Sequence, residues 1–118
     1  MLGVGLLAAT ALASEAVAAL PGKVVGRGTA SGRVALATAQ ADVQRPKAIY
    51  VRLAGDNVST ASMVVGCVRS FSGSSASFSR TEPGIYRLPI KPVGADSCRV
   101  TATAGGTGRI LIEVRVVR

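Results

Sequence analysis

Cys67 and Cys98 are the only thiols in this sequence, and no histidine accompanies them. That pairing removes much of the chemistry a small protein can perform. Structural zinc needs four close ligands, and two cysteines 31 positions apart supply neither those nor a Cys-x-x-Cys redox motif. Without histidine, Ser-His-Asp and Cys-His arrangements are excluded, and no Ser-x-x-Lys stands in for them. What two such cysteines do most simply is bond to each other, a reading that presupposes an oxidising compartment.

The carboxylates are no more suggestive of catalysis. Asp42, Asp56, Glu82, Asp96 and Glu113 are isolated in sequence, and each reads as a turn former or a surface charge. Only folding could pair two of them as glycoside hydrolysis requires. The mark of that would be an enclosed pocket of several hundred Å³ lined by two of Asp42, Asp56 and Asp96. The expectation is therefore no catalytic residue, no metal, no cofactor and no small-molecule substrate. Gly26-Arg27-Gly28 with Gly32 lacks the spacing and the following helix of a phosphate-cradling loop. Asn57-Val58-Ser59 matches a glycosylation acceptor, but beside Asp56 it reads as a turn, and Met63 reads as core filler.

Charge is the feature with functional content. Fourteen Lys and Arg face six acids, for a net charge of +8, with no run of three basic residues anywhere. An even scatter would be a solvated basic surface, whereas one contiguous face would be a footprint for a polyanion such as a wall polymer, anionic lipid or nucleic acid. Arg52, Arg99, Arg109 and Arg115 alternate with apolar neighbours, and are the candidate contacts.

These side chains must be positioned by strands. Leu2 to Ala13 is a soft apolar run of signal-peptide length, too short to span a bilayer, followed by the small-residue pattern Ala16-Val17-Ala18. Residues 1–18 are thus expected to be a cleavable helical leader, and residues 19–118 a single domain. No Lys or Arg precedes the apolar run, so either the start lies upstream or the leader is atypical. After Pro21-Gly22 the chain alternates with period two. Lys23–Arg27 reads as a short edge strand before the turn-rich Gly26–Gly32, and Val34, Leu36 and Thr38 share a face. Ile49, Val51 and Leu53 form an inward row, as do Ala61, Met63, Val65 and Cys67. Cys98, Val100 and Ala102 form another, and Ile110, Ile112, Val114 and Val116 the clearest, with Arg109, Glu113 and Arg115 outward. Turn chemistry falls at Arg45-Pro46-Lys47, Ala54-Gly55-Asp56-Asn57, Gly73–Ser75, Pro83-Gly84 and Gly105–Gly108. Pro89 and Pro92 imply a sheet edge.

Six to eight short strands and no helical period after the leader predict an all-β, antiparallel β-sandwich of immunoglobulin-like architecture, its cystine joining the middle strand to the penultimate one, across the two sheets. Aromatics make up only 3% of the chain, so small aliphatic side chains must fill the core and a covalent staple matters.

Arg45-Pro46-Lys47, Gly66-Cys67, Thr81-x-Pro83, Leu88-Pro89, Asp96-Ser97-Cys98-x-Val100 and Gly108-Arg109-Ile110 together resemble small secreted actinobacterial two-cysteine β-domain proteins. The resemblance implies an extracytoplasmic setting and carries no functional residues. The reading of the sequence is a non-catalytic interaction or structural module of the cell envelope, its partner an envelope component or protein. The alternatives are a polyanion binder and a protease-inhibitor-like domain offering Arg80 or Arg87 from a protruding loop near Thr81–Gly84.

Overall fold

The computed structural model describes residues 20–118 apart from 71 and 93, so the expected leader lies outside the described residues. The described chain is all-β: β1 (Lys23–Gln44), β2 (Ala48–Arg69), β3 (Ser72–Arg80), β4 (Gly84–Arg87) and β5 (Ser97–Val117). All pairings are antiparallel, in the order β1-β5-β2-β3, with β4 also on β2.

Three of these strands have 21 or 22 residues, far longer than the short strands expected. Their length and their connections fold the sheet in two. Gln44 pairs with Ser97 at one end of β5, and Ala48 pairs with Val117 at the other. Residues 45–47 must bridge those ends. A straight strand of 21 residues would run about 70 Å, while such a link reaches only about 14 Å. The long strands therefore bend back on themselves, giving an antiparallel sandwich whose layers are two halves of one sheet. The first layer is the early part of β1, the late part of β5, the early part of β2, and β4. The second is the late part of β1, the early part of β5, the late part of β2, and β3.

The bend lies where the sequence predicts chain reversals. Pairing shifts register between Gly32 and Ala35, between Gly55 and Asn57, and between Val58 and Thr60. Gly105–Gly108 belongs to the same corner, inside β5, with Gly108 at a φ of 83° that side chains rarely adopt. These clusters bend continuing strands because a bulge and a hairpin ask for the same residue types. The hairpin tip expected at Gly73–Ser75 lies instead between Arg69 and Ser72, which pair with each other, and Ser70 takes a φ of 47°.

The predicted inward rows of β2 and β5 face each other between the layers, buried to within a few per cent of full coverage. In β1 the row Val34, Leu36 and Thr38 does share a face, and that face is the outer one. Val34 and Leu36 are 93% and 66% exposed, while Ala35, Ala37, Ala39 and Ala41 are buried. The cause is the narrowness of the sandwich along β1. A Cβ on Gly28 would lie 2.1 Å from the Thr38 carbonyl oxygen, and one on Gly26 would lie 2.5 Å from that of Gln40. The two arms of β1 meet backbone to backbone, and beside that seam only methyl-sized side chains fit. Leu88 and Ala95, from the 88–96 connection, are buried in the same core.

Candidate functional site

Alternation along β5 sends Glu113 to the outer face of the first layer, between Ile112 and Val114 of the core. It pairs with Arg27 of β1 on one side and with Arg52 of β2 on the other, so the three side chains form one cross-strand row. Arg115 follows two residues along the same face. Glu113, expected to be a solvated charge, has no solvent exposure, because guanidinium groups cover it.

Arg27 donates from Nε (3.0 Å) and Nη2 (2.5 Å) to Oε2, while Nη1 of Arg115 and of Arg52 reach Oε1 at 3.2 and 3.4 Å. Burial alone would raise the Glu113 pKa, but hydrogen bonds from Arg27 and Arg52 outweigh it and hold the carboxyl below its ordinary value. The carboxylate stays ionised and out of reach of any substrate. Its chemical effect is to fix two guanidinium groups on either side of itself.

The three arginines are not equivalent. Arg115 is 12% exposed and also donates to the carbonyls of Pro21 and Gly22, so it pins the start of the domain. Arg27 and Arg52 are 58% and 35% exposed. Each has five donor hydrogens and commits few of them to Glu113, so donors remain for a ligand. Arg87, opposite Tyr50 on β4, and Arg109, near the corner, extend the same face. One row from Arg27 and Arg52 begins an open depression of about 710 Å³, lined by Thr29, Ser31, Ala54, Asp56, Arg109 and Leu111. Asp56 accepts from the Arg109 backbone N–H at 3.1 Å and from its Nε at 3.5 Å, and in that order the two lower its pKa.

Of the four arginines expected to contact a polyanion, Arg52, Arg109 and Arg115 share this face. Arg99 does not. It lies on the outer face of the second layer, paired with Asp42 at 2.8 Å, among Thr38, Thr101, Thr103, Ser62 and Ser77. Arg27, read from the sequence as the end of a short edge strand running into a turn-rich stretch, is a member of this face that the sequence reading missed. The signal lay in β1 continuing through those glycines, which only the pairing with β5 reveals.

The remaining candidates fall elsewhere. Cys67 and Cys98 are bonded (S–S 2.05 Å) as direct partners on β2 and β5, so the cystine staples neighbours within the second layer and does not cross between layers as expected. Asp42 and Asp56 line different depressions, and Asp96 accepts from the Ser70 backbone N–H at 2.8 Å. The Arg80 guanidinium lies 4.7 Å from the Phe78 ring centre and 5.4 Å from that of Tyr86. Arg87 belongs to a strand ladder, so neither it nor Arg80 is offered by a protruding loop.

No protein-family model matches the sequence, and no curated protein does. Among solved structures the fold is similar to that of PirA (12% identity, TM-score 0.48, covering 84% of this chain and 98% of that one). It is also similar to TmCBM61 in complex with beta-1,4-galactotriose (11%, TM-score 0.42, covering 75% and 67%). A third is the CBM32 of AlyQ in complex with 4,5-unsaturated mannuronic acid (14%, TM-score 0.31, covering 78% and 77%).

Proposed function

We propose that this chain is a non-catalytic, extracytoplasmic binding module that holds an anionic envelope polymer on the outer face of its first layer. The observation that carries this is segregation of charge. Among the described residues, Arg27, Arg52, Arg87, Arg109 and Arg115 share the strand rows of that face with only Glu113 and Asp56, whereas the opposite face balances Arg99 against Asp42. Clustering of this kind raises local anion concentration in a way scattered charge does not. Arg27 and Arg52 stand two strands apart, about 10 Å, a spacing suited to successive charged groups of a carboxylate- or phosphate-bearing chain. Single-stranded nucleic acid calls for stacking platforms, and Tyr50 is the one aromatic side chain in these rows. The extracytoplasmic setting is supported by the cystine and by the leader pattern.

Binding to an immobilised polyuronate and to a polyol-phosphate polymer, measured across a salt series, tests this reading. The double substitution Arg27→Ala/Arg52→Ala is expected to cost at least tenfold in affinity and to flatten the salt dependence by between one and two counterions (about −0.7 to −0.9 per contact). Arg99→Ala should change neither. Equal losses from Arg99→Ala would locate binding in total charge instead of this face, and stronger binding to duplex DNA at equal salt would replace the envelope polymer with nucleic acid.

A further inference from the structure

A sheet edge presents unpaired N–H and C=O groups, and proteins blunt such edges with shortness, proline, charge or cover. This sandwich has four edges, and three are blunted. The two arms of β1 close on each other where Gly26 and Gly28 meet the carbonyls of Gln40 and Thr38, leaving a seam with no room for a strand. β4 has only four residues and is bracketed by Pro83 and Pro89. β3 has nine, pairs with β2 on one side, and has no strand on the other among the described residues. From Ser72 to Ser79 it contains neither proline nor charge.

The cystine identifies which backbone groups are open. A Cα separation of 4.1 Å marks Cys67 and Cys98 as a narrow, non-hydrogen-bonded pair. Cys67 therefore turns its N–H and C=O toward Ser74, its partner on β3. By alternation Gly73, Ser75, Ser77 and Ser79 aim theirs at the open edge.

We propose that this edge pairs antiparallel with the same edge of a second copy, about a two-fold axis at Ala76, joining two four-stranded layers into one sheet. In that register Ser75 faces Ser77 of the partner subunit, and Gly73 faces Ser79 of the partner subunit. All four present edge-directed groups, so both ladders close without a slip. Ala76 and Phe78 are half-buried on the inward face at the rim of the core, and Phe78 would cross the small Ser74 of the partner subunit. Charge favours this side for self-association. A chain of net charge +8 repels its copy elsewhere, but the second layer's outer face carries the balanced Arg99–Asp42 pair. Arg80 would meet Ser72 of the partner subunit and not another cation.

Sedimentation equilibrium of the exported protein from about 10 µM to 1 mM tests this, since one paired edge falls in the weak, transient class of interface. The wild type should pass from monomer to dimer across that range. Ser75→Pro removes an edge-facing donor and no ladder bond of the monomer, so it should abolish dimerisation while leaving the melting temperature within a few degrees. Ser77→Lys should do the same by like-charge repulsion. A wild type that stays monomeric throughout overturns the proposal, including one that instead captures an added alternating β-peptide. A dimer that persists in both variants overturns it too.

Discussion

Glu113 shows what a single position can and cannot disclose. Alternation in β5 gives its face, because Ile112 and Val114 must point into the core, and that much is legible in the sequence. Its burial is not legible, since the cover comes from Arg27 and Arg52 on two other strands whose register exists only in the folded sheet. The same limit hides the ion pairs of Arg99 with Asp42 and of Arg109 with Asp56, each linking residues more than fifty positions apart. The cluster carries a pH signature. With its pKa depressed in the fold, Glu113 contributes stability that is complete above its ordinary value of 4.5 and is lost as pH falls through the lower folded value. Equilibrium unfolding from pH 7 to pH 2.5 should show this as a declining acid limb. Glu113→Gln should flatten that limb and cost about 1.5–3 kcal/mol at pH 7, the range for hydrogen bonds to a charged group. An acid limb of unchanged slope in Glu113→Gln would remove Glu113 from the account, and with it the preorganisation of Arg27 and Arg52.

At the scale of elements, period two located most of the core-facing rows, but the breaks between them misled in a consistent way. Gly55-Asp56-Asn57 and Gly105–Gly108 carry the residues of a reversal, and each instead lets a strand turn a corner and continue. Composition cannot separate the two, because both need small or left-handed residues and differ only in where the following strand pairs. The choice of inward face in β1, which alternation left open, has another origin. A row of valine and leucine ordinarily outranks a row of alanine for burial, but here the space between layers decides. That space is set by Gly26 and Gly28. Gly28→Ala should therefore be severe, at roughly 3 kcal/mol or more, because the new methyl meets backbone 2.1 Å away and backbone cannot rotate aside. Gly66→Ala is the counterpart on an outer face, where the nearest atom to a new Cβ is 3.9 Å away. It should be neutral or stabilising by about 0.5 kcal/mol, through the reduced freedom of the unfolded chain. Urea denaturation of both variants measures the contrast, and similar losses in the two would refute a closed seam along β1.

Continuity of β1, β2 and β5 through both layers has a consequence for the whole molecule. In a sandwich of separate sheets, a staple inside one sheet acts chiefly there. Here every long strand belongs to both layers, so neither layer can open without freeing strands the other needs, and the domain should unfold in one step. The Cys67–Cys98 bond closes a loop of 31 positions that contains the end of β2, all of β3 and β4, and the 88–96 connection. In the chain-entropy picture that closure contributes about 3.5 kcal/mol, large beside the total stability of a domain of about a hundred residues. It is also the contribution most needed where aromatic side chains are few and much of the interior is alanine. Replacing both cysteines with alanine should lower the melting temperature by about 15–25 °C. The fall should be shared equally by amide-exchange probes in the first layer (Val51, Ile112) and in the second (Val65, Val100). Loss of protection confined to the second layer would show that the bend uncouples the layers, and would reduce the cystine to a local clamp.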